Sequence, residues 1–231
     1  VSLVRGDSGA TLSFRVVRMG FGGDSGFYTV QDAQPITGEA AGSEVNFAGV
    51  FPATTGQYIV RNGELKQNFI MTGLVDVPEG AQYLQFVMEY DIGTLDVWVD
   101  GQQKTENFWT ATPMELVDPA TGELAFGLDP AVAFDSEGAA VGLFFDVSFT
   151  EDGMTVVLNV PVGWLETAQF PVVVDPVTTL YTSYGGYVYR YTSGSTTYYY
   201  GPYSGTYSYV RRYGYSTSYK YVYRGFLKFN T

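Results

Sequence analysis

Residues 57–71, QYIVRNGELKQNFIM, predict an antiparallel β-hairpin. Two runs rich in β-branched and aromatic residues flank Asn62-Gly63, and this dipeptide favours a two-residue turn in which both central residues have positive φ. A hairpin of this kind needs further strands beside it to be stable in water. The rest of the chain is therefore expected to supply them.

Alternating apolar and polar residues recur on both sides of the hairpin. Residues 12–16, 83–90 and 141–149 all follow this pattern, which is typical of strands with one buried face. Asp100-Gly101 and residues 151–153 predict turns between such strands. Repeated in this way, the pattern predicts an all-β fold, specifically an antiparallel β-sandwich.

Two stretches depart from this alternation. The glycine-rich sequence MGFGGDSGF (19–27) predicts a loop, because glycine supplies turn conformations at low cost. The sequence GWLETAQ (163–169) is the best helix candidate, and we expect no more than one or two helical turns there.

The composition excludes several classes of site. The 231 residues include neither cysteine nor histidine, which removes disulfide bonds, thiolate metal sites and the Ser-His-Asp triad. No apolar run is long enough to span a bilayer, so we expect no membrane insertion. The 24 acidic residues guarantee pairs of neighbouring carboxylates by number alone, and no pair is marked as a glycosidase pair. We therefore predict that the chain is not an enzyme.

Charge divides the chain into two parts. Residues 1–177 contain all 24 acids and six basic residues, a formal net charge of −18. Residues 178–231 contain six basic residues and no acid, a net charge of +6, and 16 of the 20 tyrosines follow residue 180. We therefore predict an acidic β-sandwich domain at 1–177 and a basic, Tyr-rich β segment at 178–231, here called the tail.

The tail continues the alternating pattern with tyrosine and arginine, which are enriched at interface hot spots. It could dock on the acidic domain of a neighbouring copy and build an open filament, its aromatic rings could stack on the sugars of a polysaccharide, or it could fold onto its own domain within a monomer. Nucleic acid is not expected, because the acidic domain repels phosphate. The predicted interface or glycan-binding residues are Tyr187, Tyr189, Tyr207, Tyr209, Arg211, Arg212, Tyr221, Tyr223 and Arg224.

A calcium site is a further hypothesis for the acidic domain. Hard cations bind several carboxylate and carbonyl oxygens, and four acids lie in or near Gly- and Pro-rich loops: Asp118, Glu123, Asp129 and Asp135. The competing interpretation is turn formation, in which aspartate accepts backbone hydrogen bonds. Apart from Ca²⁺, no cofactor is predicted.

Four stretches carry a family resemblance: VNFAGVFP (45–52), NGELKQNFIM (62–71), ELVDPATGELAFGLDPAVAFDSEG (115–138) and GWLETAQFPVVVDPVTTL (163–180). In this order they resemble the β-rich region of large bacterial and archaeal cell-surface proteins, including wall-associated proteins of the RHS type. The matching positions are Phe51, Pro52, Lys66, Asp135, Gly138, Trp164, Leu165, Ala168, Pro171, Val172, Asp175 and Pro176.

In that family, a DNRLRE domain often follows, which is related to disaggregatase and also classed as carbohydrate-binding. GGYVYR (185–190) and YRGFLKFNT (223–231) resemble parts of it, although Gly186 stands where the family has an acid. The resemblance implies an extracellular, cell-surface setting and a β-sandwich scaffold followed by an adhesive or carbohydrate-binding module. Our leading hypothesis is a subunit that self-associates into a filament or surface layer. The alternatives are a carbohydrate-binding module and an accessory domain of a wall-associated toxin-delivery protein.

Overall fold

A computed structural model of the chain describes residues 1–4, 9–23, 26–61, 64–180, 185–193, 196–205, 211–216 and 219–226. Side chains are described up to residue 178, except those of residues 61 and 177. Nearly all of the regular secondary structure in the described residues is antiparallel β-strand. The predicted all-β fold class is therefore confirmed.

The regular elements of the acidic domain follow one another along the chain with short connections. The first ten strands are β1 (Ser2–Val4), β2 (Thr11–Gly23), β3 (Gly26–Asp32), β4 (Glu39–Ala41), β5 (Glu44–Phe51), β6 (Thr54–Arg61), β7 (Glu64–Met71), β8 (Tyr83–Asp91), β9 (Asp96–Val99) and β10 (Gln102–Lys104). The next elements are β11 (Phe108–Thr110), β12 (Met114–Asp118), β13 (Glu123–Leu128), β14 (Val132–Phe134), β15 (Ala140–Gly142), β16 (Phe144–Thr150), β17 (Gly153–Pro161), α1 (Val162–Leu165), β18 (Val172–Asp175) and β19 (Val177–Leu180).

The first sheet has seven strands in the order β1-β2-β8-β17-β16-β11, with β3 also paired to β2. Its inner face shows the predicted alternation, since Leu84, Phe86, Met88 and Tyr90 of β8 are all buried. Strand β11 forms one edge of this sheet, and its Trp109 lies directly opposite Asp146 of β16.

The loop predicted at residues 19–27 is wrong at every described position, because β2 continues to Gly23 and β3 begins at Gly26. The glycines here make room for neighbouring side chains. A Cβ atom at Gly22 would lie 2.4 Å from the side-chain oxygen of Gln85, and one at Gly20 would lie 2.5 Å from the ring of Phe27. Close approach, and not a turn, explains glycine at these two positions.

The second sheet has twelve strands, and the predicted hairpin forms its centre. Strands β6 and β7 pair from Thr54↔Met71 to Arg61↔Glu64, which confirms the hairpin register. Asn62 and Gly63 lie outside the described residues. On its other side, β7 pairs with both β18 and β19. The strand order is β10-β9-β12-β13-β19-β7-β18-β14-β15, and β6 pairs with β7, β5 with β6 and β4 with β5.

The two sheets pack against each other through their apolar faces. Phe69 of the second sheet stacks on Phe86 of the first, with ring centroids 4.1 Å apart, and Phe51 contacts the same ring. All three rings are buried within one hydrophobic core that takes residues from both sheets. This arrangement is a β-sandwich, as predicted.

Residues 141–149 do not form the single strand that their alternation predicts. The segment divides into β15 in the second sheet and β16 in the first, and buried Leu143 lies between them. The following turn requires Gly153, which has a φ of 146° and whose Cβ would lie 2.0 Å from the carbonyl oxygen of Tyr90. The predicted short helix is α1, four residues long.

The tail contains four strands, β20 (Gly185–Ser193), β21 (Thr196–Gly205), β22 (Arg211–Ser216) and β23 (Tyr219–Phe226). They form a separate antiparallel sheet in the order β21-β20-β23-β22, here called the tail sheet. Strand β19 still pairs with β7 and β13 of the sandwich. The domain boundary predicted after residue 177 therefore falls inside β19.

Candidate functional site

The tail sheet brings together the backbone positions of most predicted contact residues. Tyr207 and Tyr209 lie outside the described residues. The other seven lie on three neighbouring strands: Tyr187 and Tyr189 on β20, Arg211 and Arg212 on β22, and Tyr221, Tyr223 and Arg224 on β23.

Backbone register places tyrosines directly opposite one another across the tail sheet. One row runs through Tyr198, Tyr191, Tyr221 and Tyr213, which are Cα partners from β21 to β22. The neighbouring row runs through Tyr200, Tyr189, Tyr223 and Arg211. The tail sequence is thus ordered into rows that cross all four strands.

The outer strands of the tail sheet are β21 and β22. Within the described residues, each pairs with another strand on one side only. The unpaired N–H and C=O groups along such an edge can bind a strand from another chain.

Two of the acids proposed for calcium, Asp118 and Asp135, accept hydrogen bonds from backbone N–H groups of turns. Asp118 and Glu123 are directly opposite each other where β12 and β13 meet, and an Asp118 carboxylate oxygen accepts a hydrogen bond of 2.9 Å from the backbone N–H of Ala120. Asp129 lies just after the end of β13. The carboxylate of Asp118 thus takes part in the turn chemistry that competes with the calcium hypothesis.

Asp135 is buried, and its carboxylate accepts three backbone hydrogen bonds, more than Asp118 does. Its carboxylate accepts backbone N–H hydrogen bonds from Glu137 at 3.0 Å, Ala139 at 2.8 Å and Gln169 at 3.0 Å. These bonds, that of Gln169 first, hold the pKa of Asp135 below its usual value. The side chain joins the β14–β15 turn to the segment before β18.

Across the described part of the chain, no three acidic side chains come together in a cluster that could hold a metal ion. The four predicted calcium ligands are not assembled into one site. Calcium binding at these residues therefore stays a prediction.

The residues of the family resemblance have identifiable contacts. Lys66 of β7 donates a hydrogen bond of 2.5 Å to Asp175 at the end of β18, and both side chains are largely covered. Leu165 of α1 is buried in the core, and Trp164 packs against it. These contacts hold β18 and α1 on the sandwich, so the residues that make them have a structural role.

A groove that the sequence did not predict lies between the edges of the two sheets. Its volume is about 660 Å³, and it is lined by Trp109, Ala111, Pro130, Ala131, Val132, Gly142, Leu143, Phe144 and Asp146. Trp109 is 71% exposed, more than any other large hydrophobic residue whose side chain the structure describes. We call this feature the Trp109 groove.

Two rows of side chains lie beside the Trp109 groove. The aromatic row runs from Tyr83 through Phe144 to Trp109, with centroid distances of 5.2 Å and 6.4 Å and nearly perpendicular rings. In the polar row, Gln85 donates to Asn159 at 2.6 Å, and Asn159 donates to Asp146 at 2.9 Å. Asn159 is fully buried, so this row fixes the orientation of the exposed Asp146 carboxylate.

The chain contains three tryptophans, and the alternation does not distinguish the exposed one. Trp98 and Trp164 are half-buried, whereas Trp109 lies on the outer face of an edge strand three residues long. A short strand gives too few residues for a clear period-two signal. Only the pairing of β11 with β16 identifies this site.

Comparison with known proteins adds no identification, since no family model matches the chain and no curated protein matches it significantly. The family resemblance therefore stays a prediction. No helix among the described residues is long and apolar enough to cross a membrane.

Proposed function

We propose that this chain is a structural or adhesive protein of the cell surface that self-associates through its tail sheet. The observation that carries the proposal is an acid-free four-stranded sheet whose two outer strands each pair on one side only in the described chain. A sheet of this kind is suited to add to another molecule by strand pairing and by charge.

The sandwich supplies the opposite charge. Its basic residues are few, and Arg15, Arg18 and Lys66 already form ion pairs with acids of the same domain. Most of its carboxylates therefore remain to attract a positively charged partner. The acid-free tail of a neighbouring copy supplies one, and repeated head-to-tail contacts give an open filament or layer.

The experiment is negative-stain electron microscopy with sedimentation velocity of the full chain at two salt concentrations. Between about 0.01 M and about 1 M salt, the screening length falls from roughly 30 Å to roughly 3 Å. We expect filaments or large assemblies at low salt and much smaller particles at high salt. Monomers at both salt concentrations would refute the proposal.

A charge reversal in the tail tests the origin of the attraction. Arg211→Glu with Arg212→Glu changes the net charge by −4 on edge strand β22, and we expect this variant to stay monomeric at low salt. The combination of Gln102→Glu, Gln103→Glu and Lys104→Glu makes the same change in net charge on strand β10 of the sandwich and serves as the matched control. Equal loss of assembly in both variants would mean that net charge alone, and not the tail, controls association.

A further inference from the structure

The Trp109 groove offers two binding groups side by side. Trp109 and Asp146 are directly opposite residues of an antiparallel pair, which places their Cβ atoms about 5 Å apart on one face of the sheet. Perpendicular contact with Phe144 holds the indole in place, while its own surface remains mostly exposed to solvent. The site therefore presents an aromatic face next to a carboxylate.

The carboxylate of Asp146 is oriented before any ligand binds. One oxygen accepts a hydrogen bond from buried Asn159, and Gln85 in turn fixes Asn159. Within the described chain, the other oxygen of Asp146 accepts no hydrogen bond. A fixed acceptor loses little conformational freedom when a donor arrives.

These two groups match a guanidinium ion. The face of tryptophan attracts cations, arginine most often, within about 6 Å of the ring. A carboxylate beside the ring accepts the guanidinium N–H groups in charge-assisted hydrogen bonds. No basic side chain is among the described residues that line the groove, so the site disfavours anionic ligands.

The chain itself carries a segment with the complementary charge and chemistry. The tail has four arginines, six basic residues in all and no acid, whereas the sandwich has a formal net charge of −18. Tyrosines next to these arginines can cover two exposed apolar residues of β14, Val132 in the groove lining and Phe134 two positions further along the strand. Tryptophan, tyrosine and arginine are also the residues that most often dominate binding energy at interfaces.

We propose that the Trp109 groove is the acceptor site for a tail arginine of a second copy of this chain. The guanidinium lies over the Trp109 indole and donates to Asp146, and tail tyrosines pack on the apolar wall formed by β14 and β15. This inference rests on the proposed self-association and names the surface on which the tail docks.

The test measures the concentration at which half of the full-length chain is assembled at low salt. We expect Trp109→Ala to raise it about 30-fold, the effect of losing an interface hot spot, and Asp146→Asn to raise it in the same direction. Tyr28→Ala, which removes another exposed ring, and Glu166→Gln, which removes an exposed carboxylate, are matched controls expected to assemble like the wild type.

Acrylamide quenching provides a second readout, because Trp109 is the most exposed of the three tryptophans. The difference in quenching between the wild type and Trp109→Ala reports on this one indole. We expect the difference to be large when both proteins are unassembled and to shrink at concentrations high enough for both to be assembled.

The outcomes separate this inference from the proposed function. Wild-type assembly that persists unchanged in Trp109→Ala and Asp146→Asn would overturn the acceptor site and leave self-association standing. A wild type that never assembles would overturn both. If the neutral oligosaccharide hexa-N-acetylchitohexaose protects Trp109 from acrylamide while neither variant alters assembly, the groove is a saccharide site and the acceptor assignment is wrong.

Discussion

The ion pair between Lys66 and Asp175 provides the sharpest test of how the last strands of the sandwich are held. The two side chains are 20% and 13% exposed, and their charged atoms lie 2.5 Å apart. The second carboxylate oxygen of Asp175 is buried and has no hydrogen-bond partner among the described residues. Among the described residues, Lys66 therefore provides the positive charge that balances the buried Asp175 carboxylate.

Replacing Lys66 by methionine keeps most of the aliphatic length and removes the charge. Loss of one partner of a buried ion pair typically costs 3–5 kcal/mol of stability. Because both side chains retain some solvent contact, we expect the lower end, about 3 kcal/mol. The double change Lys66→Met with Asp175→Leu should recover most of this loss, since replacing both charges leaves no uncompensated group.

The assay is urea unfolding followed by circular dichroism. For a slope of about 3 kcal/mol per M, the single variant should lower the midpoint by about 1 M. Lys104→Met is the matched control, because Lys104 has only a 3.5 Å contact with Gln102 and should change stability by less than about 0.5 kcal/mol. If the stability of Lys66→Met lies within that same margin of the wild type, the ion pair does not secure β18.

Three further perturbations probe the core, the buried phenols and the Asp135 turn. Phe86→Ala should cost about 4 kcal/mol in urea unfolding, and a double-mutant cycle with Phe69→Ala should show coupling between the two stacked rings; additive effects would contradict inter-sheet stacking. Burial raises the pKa of Tyr58 to about 12 and also raises the pKa of Tyr90. The stability that these two phenols contribute should therefore be intact below about pH 10 and be lost as the pH rises toward 12 and above. In an absorbance titration at alkaline pH, the double variant Tyr58→Phe with Tyr90→Phe should show fewer tyrosines that ionise well above pH 10 than the wild type does. For Asp135 the sign is opposite: its lowered pKa means that its contribution is present above about pH 4 and disappears in acid, so Asp135→Asn should lower the melting temperature at pH 7 and converge with the wild type at low pH. A constant difference at every pH would show that the carboxylate charge is not the cause.

Local patterns were sufficient for much of the fold. Asn62-Gly63 and its flanking runs predicted the β6–β7 pairing, and the alternation in residues 83–90 predicted which side chains of β8 are buried. These features depend on residues close in sequence, whose geometry is set by the two-residue period of a strand and by turn chemistry.

The same patterns failed where distant contacts decide the outcome. Gly20 and Gly22 signal a loop when taken locally, yet both belong to β2. They are glycines because Phe27 and Gln85 occupy the space that a Cβ atom would need. Residues 141–149 alternate as one strand, yet the chain passes from one sheet to the other at Leu143.

By itself, the sequence determined the β-rich character of the chain and the division of its charge between an acidic part and a basic tail. Only the tertiary structure placed Trp109 at an exposed sheet edge opposite Asp146, and only it showed that Asn159 orients that carboxylate. The physical reason is that alternation assigns each side chain to one of two faces, whereas the neighbour across the sheet depends on long-range strand pairing that no local period specifies.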